Sequence, residues 1–223
     1  MAERVQAVYA RLRDVYGFLV RPPGDDPVGE LVATILSQST TDLNSGRAYE
    51  RLRALYPHWE ELLDASEDEI YEAIKPAGLG RMKAPRIKRT LREIVRRRGE
   101  LRLDFLAGLP LPEAKRWLTA LDGIGPKTAA CVLLFALGRP ALPVDTHVHR
   151  VAGRLGLIGP RVSAELAHEQ LEAALAPEQI YTFHIAMIRH GRQVCHAQRP
   201  ACAACPLRDL CDFYRFASIQ GTA

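Results

Sequence analysis

Apolar residues recur every three or four positions along nearly the whole chain, which is the period of an amphipathic helix. In the stretch VGELVATILSQ, Val28, Leu31, Val32, Ile35 and Leu36 fall on one face. Tyr49, Leu52, Leu55 and Tyr56 repeat in the same way within NSGRAYERLRALYP. Ser66 and Glu69 stand as S-x-x-E, a pairing that opens a helix by satisfying orphan N–H groups reciprocally; that helix is predicted to stop near Gly78. Ile87, Leu91, Ile94 and Val95 supply the inner side of the next helix, which Gly99 closes. Further helices are predicted at 112–121, 126–137, 145–155, 163–175 and 177–190. No segment alternates with period two for long enough to argue a sheet. The chain is predicted to be all-α.

Two breaks divide this pattern. RPPGDDP (21–27) sets off a first helix, and GRPALP (138–143) separates a central block from a C-terminal one. The expected organisation is a first helix in 1–25, a central helical domain in 26–138 and a C-terminal block in 139–223. The two outer pieces are expected to pack together as one discontinuous domain. No internal repeat or low-complexity segment is present.

The 223 residues are 48% hydrophobic and 25% charged, an ordinary balance for a globular protein with a real core. No run approaches the roughly 20 apolar residues of a membrane helix. The start, MAERVQAVYARLRD, is charged throughout and does not resemble a signal peptide or anchor. A cytoplasmic protein is expected. The net charge is only +4, yet Arg81 to Arg98 holds nine basic residues and one acid, Glu93. Such clustering is suited to phosphates, although a solvated helix face would look the same.

Four of the five cysteines crowd between Cys195 and Cys211, spaced C-x6-C-x2-C-x5-C. In a cytosolic chain this crowding favours metal over disulfide. Four converging thiolates suit a tetrahedral zinc or a four-iron cluster, and ligand softness does not decide between them. The fifth, Cys131, lies in the apolar run TAACVLLFAL and reads as a buried small hydrophobe.

A second constellation is LDGIGPKTAA, 121–130. Gly123 suits a helix end and Pro126 a first helical position, so two helices should meet in a tight Gly-x-Gly hairpin. Backbone N–H groups at Gly123, Gly125 and Thr128 could then grip a phosphate. Lys127 sits in the first turn of the second helix, where the partial positive charge of the helix end disfavours an ammonium. That favours the neutral amine a nucleophile must be, although a further phosphate contact is the plainer role. Asp145, in LPVDTHVHR, is placed to cap a helix. It could instead stabilise positive charge developing on a sugar, as carboxylates do in glycoside hydrolysis.

The hairpin LDGIGPKTAA, the VDTH that places Asp145 eighteen residues after Lys127, and the cysteine spacing together resemble endonuclease III. This is the iron–sulfur branch of the helix-hairpin-helix DNA glycosylases, and the resemblance runs from about residue 28 to 214. It implies a six-helix barrel carrying the hairpin, a discontinuous cluster domain and a DNA-binding groove between them. It also implies a [4Fe-4S] cluster on Cys195, Cys202, Cys205 and Cys211. By the same resemblance Lys127 is the nucleophile that expels the damaged base and forms a Schiff base, and Asp145 assists departure of the base. Strand nicking by β-elimination would follow. The base must be flipped out, and wedge residues must fill the gap in the stack. Leu79 matches one wedge.

The second wedge departs from the family pattern. ILSQSTTD puts Ser39 where relatives carry glutamine and moves the glutamine to Gln38. Serine reaches less far, so either Gln38 compensates or opposite-base preference and activity change. Asp42, His147 and Ser37 match family positions near the pocket. The loop between Cys195 and Cys202 holds only Arg199 as a permanent cation. The implied partner is duplex DNA with damaged bases or abasic sites, bound by a monomer, with no membrane involved. Oxidized or ring-saturated pyrimidines are the implied lesions. A monofunctional mismatch glycosylase of the same branch and a non-catalytic damage sensor are the competing readings.

Overall fold

The computed structural model describes residues 1–22, 24 and 26–219; Pro23 and Asp25 of the first break lie outside the described residues. Among the described residues every regular element is helical, as the apolar periodicity predicts. No helix among them is long and apolar enough to cross a membrane. The chain divides into two compact units, Pro23–Arg139 and the pair of segments Met1–Pro22 and Pro140–Ala223.

The unit Pro23–Arg139 is built on α2 (Pro27–Ser37), whose Leu31, Val32, Ile35 and Leu36 are fully buried. Pro27 starts the helix, and the Asp26 side chain caps it by accepting the Gly29 N–H at 2.6 Å. Glycine is required there. A Cβ at Gly29 would fall 2.2 Å from the Asp26 carboxylate and 2.7 Å from the Tyr49 hydroxyl. Around α2 pack α3 (Asp42–Leu55), α6 (Gly80–Arg98) and α8 (Pro126–Cys131). The short α4 (Glu61–Asp64) and α5 (Glu67–Ile74) pack on α6. The α5 start forms the capping box: Ser66 Oγ accepts the Glu69 N–H, and Glu69 accepts the Ser66 N–H at 2.8 Å. Gly99 ends α6 with φ 79°, its N–H on the Val95 carbonyl.

Three expectations change. The predicted helix 126–137 is α-helical only to Cys131 and continues as a π-helical turn, Val132–Ala136. The Gly24 backbone lies against that turn, so close that a Cβ would stand 2.3 Å from the Phe135 carbonyl. Leu55, grouped with the inner repeat of α3, is 57% exposed because the helix ends there and turns away. The basic run is only partly a surface: Arg81, Arg89, Arg92, Arg96, Arg97 and Arg98 are exposed, whereas its two lysines are not. Lys83 and Lys88 are buried and donate to backbone carbonyls, Lys83 to Leu36 and Ala77 and Lys88 to Ala65. Arg96 and Arg97 pair with Glu93, and Arg81 and Arg98 lie over the rings of Tyr71 and Phe105.

In the other unit, α1 (Ala2–Tyr16) packs on α11 (Ile180–Gln193), which packs on α9 (Thr146–Arg154). Val5, Val8 and Leu12 of α1 and Phe183 and Met187 of α11 are buried. The α10 helix (Ala164–Glu172) and α12 (Asp212–Ile219) complete the unit, and Arg4 of α1 pairs with Asp212.

Candidate nucleophile and cluster sites

In the unit Pro23–Arg139, α7 (Leu111–Thr119) leads into the hairpin. Leu121 and Ile124 are buried and anchor the turn, while Gly123 takes φ 74° between them. A left-handed residue of this kind suits glycine. Gly125 precedes α8 as its cap residue, and Gly123 and Gly125 are both exposed. Thr128 is only 4% exposed, which turns its side chain inward and leaves only its backbone for any outside contact. Lys127 is half-buried in the first turn of α8.

The surroundings of Lys127 hold groups the sequence did not mark out. Glu30 and Thr34 follow helical spacing along α2, and α2 packs on α8. The Thr34 hydroxyl donates to Glu30 Oε1 at 3.1 Å. Cys131, one turn beyond Lys127, is buried, and the charges of Lys127 and Glu30 act on its thiol from opposite directions. Burial pushes the Glu30 carboxyl up to about 7, against the opposing pull of the Thr34 hydrogen bond and the Lys127 charge. Burial also drives the Cys131 thiol up to about 11, so it stays protonated near neutrality. Cys131 is buried, as expected. The signal available in the sequence was the polar stripe on α2 opposite its apolar face.

The wedge positions share an unusual backbone. Ser39 has φ 53° and Leu79 φ 51°, and both are exposed. Non-glycine residues rarely adopt this region, and where they do the surroundings hold them there. Gln38, the residue before Ser39, accepts at Oε1 from Arg86 Nη1 at 2.7 Å. Asp42 is exposed in the first turn of α3, and Ser37 Oγ donates to the Thr34 carbonyl at 2.9 Å.

In the other unit, Asp145 caps α9, its Oδ1 accepting the Val148 N–H at 2.8 Å. This engages one carboxylate oxygen. His147 accepts at Nδ1 from Arg150 Nη2 at 3.0 Å, and Arg150 also donates to the carbonyls of Gly191 and Cys195. Arg199 is exposed with φ 50°.

Cys195, Cys202, Cys205 and Cys211 line one pocket of about 350 Å³, part of it open to solvent. Among the described residues no three His, Cys, Asp or Glu side chains meet where a single metal ion would sit. Four sulfurs lining one pocket without converging on a single point suit a polynuclear cluster, in which each thiolate takes a different iron. Burial pushes the thiols of Cys202, Cys205 and Cys211 up, so cluster cations are what would hold them as thiolates. Two residues missed from the sequence complete the pocket. Arg154 donates to Cys195 Sγ at 3.3 Å and to the carbonyls of His196 and Ala197. His190, pushed by burial down to about 4, is neutral. Tyr16 hydroxyl meets its Nδ1 at 3.1 Å and Cys205 Sγ its Nε2 at 3.6 Å.

Comparison with known proteins places this arrangement. Residues 32–177 match the HhH-GPD superfamily base excision DNA repair proteins. Residues 195–211, bounded by the first and last cysteines of the pocket, match the iron–sulfur binding domain of endonuclease III. Endonuclease III of Thermotoga maritima is 37% identical over 191 residues, covering 85% of this chain and 84% of its own. Among solved structures, a non-covalent endonuclease III–DNA complex superposes with a TM-score of 0.82 at 27% identity, covering 98% of this chain and 99% of that one. A trapped endonuclease III–DNA covalent intermediate matches with the same score, identity and coverage. The chain therefore belongs to the endonuclease III family of the HhH-GPD superfamily of base excision DNA repair proteins.

Proposed function

We propose that the chain is a bifunctional DNA glycosylase and AP lyase of base excision repair, acting on duplex DNA that carries oxidized or ring-saturated pyrimidines. The observation that carries this reading is Lys127: a half-buried amine in the first turn of α8, directly after an exposed Gly-x-Gly turn. Its Nζ attacks the anomeric carbon of a flipped-out nucleotide and displaces the base. The resulting Schiff base acidifies the neighbouring sugar carbon, and loss of its proton expels the 3′ phosphate. Asp145 stabilises positive charge on the sugar as the base departs. The covalent intermediate trapped in a structurally similar endonuclease III supports this chemistry.

The remaining positions are assigned to holding the duplex. Backbone N–H groups at Gly123, Gly125 and Thr128 meet a phosphate. Leu79 and Ser39 enter the space left by the flipped base, with Gln38 bracing the turn. Asp42 and His147 lie near the pocket, and Arg199 meets the backbone. The four cysteines hold a [4Fe-4S] cluster, which when bound cross-links residues 195–211 into a rigid loop and supplies no step in the reaction. The unit Met1–Pro22 with Pro140–Ala223 is thus the cluster domain, and the other carries the hairpin and nucleophile. We read the protein as a monomer working on the nucleoid in the cytoplasm, a hydrolase toward the glycosidic bond and a lyase toward the strand.

Borohydride reduction in the presence of a thymine glycol duplex tests the reading. A covalent adduct is expected, absent in Lys127→Gln, with base release about 100-fold slower in Asp145→Asn. Excision without an adduct would instead indicate a monofunctional glycosylase. Binding without excision would leave only a damage sensor.

A further inference from the structure

Residues 138–145, which lead into α9, form no regular element, yet 141–144 are buried. A buried irregular segment cannot leave its backbone N–H and C=O groups to water, so they need partners within the protein. Side chains of two other helices supply them. On α10, His168 and Glu172 stand one turn apart on the same face. Glu172 Oε2 accepts the Leu142 N–H at 2.8 Å. His168 takes two groups, the Leu142 carbonyl at 2.7 Å from Nδ1 and the Val144 N–H at 3.4 Å from Nε2. On α11, His184 Nδ1 meets the Pro143 carbonyl at 2.9 Å. Both histidines are buried.

These bonds fix the state of each ring. A carbonyl only accepts, so Nδ1 of both histidines carries a hydrogen and donates it. Nε2 of His168 faces an N–H donor and is therefore the bare nitrogen. One ring thus donates at one end and accepts at the other, which no aliphatic side chain of that size does. Asp145 follows Val144 directly and begins α9, its Oδ1 accepting the Val148 N–H and its carbonyl the His149 N–H at 2.9 Å. The aspartate is held on one side by the helix it caps and on the other by the segment the histidines clasp.

We propose that His168 and His184 are positioning residues for Asp145: they hold the segment that delivers its carboxylate to the sugar, and so set the rate at which the base departs. The inference rests on the reading of Asp145 as the group that stabilises positive charge on the sugar. A misplacement of about 1 Å in a group aligned with the reaction costs roughly 100-fold in rate. Bonds made one to three residues before the carboxylate therefore bear on the chemistry without touching substrate. The two halves of the reaction separate this role from support of the fold. Departure of the base calls on Asp145. A sugar that has already lost its base offers Lys127 an aldehyde, and β-elimination from there does not.

The test compares single-turnover base release from a thymine glycol duplex with nicking of the same duplex carrying a preformed abasic site. It uses the cluster-loaded wild type, Asp145→Asn, His168→Leu, His168→Gln and His184→Leu, each at a temperature where melting shows it folded. Asp145→Asn should slow release and spare nicking. His168→Leu should show the same split, with release about 10-fold slower or more. His168→Gln, whose amide donates to the Leu142 carbonyl and accepts from the Val144 N–H, should recover most of that loss. His184→Leu breaks one bond rather than two and should show a smaller split; it decides the matter should His168→Leu fail to fold. Unchanged release in the folded histidine variants would overturn the proposal. So would release and nicking falling together, the mark of a domain disturbed as a whole. Unslowed release in Asp145→Asn would remove the reading of Asp145 and the clasp with it. Slowed release there, beside unchanged histidine variants, would remove the clasp alone.

Discussion

Arg86 joins Gln38 to Gly123: its Nη1 donates to the Gln38 Oε1 at 2.7 Å, and its Nε would stand 3.0 Å from a Cβ at position 123. One guanidinium on α6 thus bonds to the turn that carries Ser39 and lies beside the turn of the hairpin. The hairpin needs glycine at 123 for two separate reasons, a φ of 74° and the nearness of this side chain.

Gly123→Ala is accordingly expected to cost about 1–2 kcal/mol for the left-handed backbone, and more where the new methyl meets Arg86. Thermal melting of Gly123→Ala, Arg86→Ala and the double variant separates the two contributions. If the contact matters, the double variant should be more stable than the sum of the single losses predicts, by roughly 0.5 kcal/mol or more. Strict additivity would assign the whole cost to the backbone.

The buried carboxyl of Glu30 gives the protein a pH-dependent stability with a definite sign. In the fold the group keeps its proton up to about 7, whereas in the unfolded chain it releases it near 4.5. Between those values folding takes up a proton, so stability falls as pH rises and is lowest above 7. The full effect is on the order of 3 kcal/mol at most. Glu30→Gln carries no charge at any pH and should therefore raise the melting temperature more at pH 8 than at pH 5. An equal change at both would mean that Glu30 titrates normally in the fold.

What the sequence disclosed was local chemistry. The Ser66–Glu69 box, the Gly99 stop and the Gly123–Pro126 hairpin each depend on residues within a few positions of one another. The structure has them where the spacing puts them. The cysteine pocket was legible for the same reason, because its loops are too short to hold the thiols apart. What the sequence hid was partnership at a distance. Nothing in the run Arg81–Arg98 says that Lys83 and Lys88 point inward to carbonyls of Leu36 and Ala65. The Gly24 backbone lies against the π-helical turn after Cys131, a neighbour more than a hundred residues away in sequence. Glu30 looked like one charge on an amphipathic helix until α8 brought Lys127 and Cys131 beside it.

Lys83 is where such a hidden partnership bears on the wedge positions. Its ammonium is buried, yet it donates to the carbonyls of Leu36 at 2.7 Å and Ala77 at 2.9 Å. Leu36 lies three residues before Ser39 and Ala77 two before Leu79, so one cation ties together the approaches to both left-handed residues. Lys83→Met keeps the length of the stem and removes the donors. Two buried carbonyls then lose a partner, at a cost of about 2–4 kcal/mol and roughly 5–10 °C in melting temperature. If the amine also sets the geometry of the two turns, the variant should bind a lesion duplex more weakly at temperatures where it is fully folded. Binding to undamaged duplex, which needs no wedge, should change less. A lower melting temperature with unaltered discrimination between the two duplexes would make Lys83 a structural residue alone.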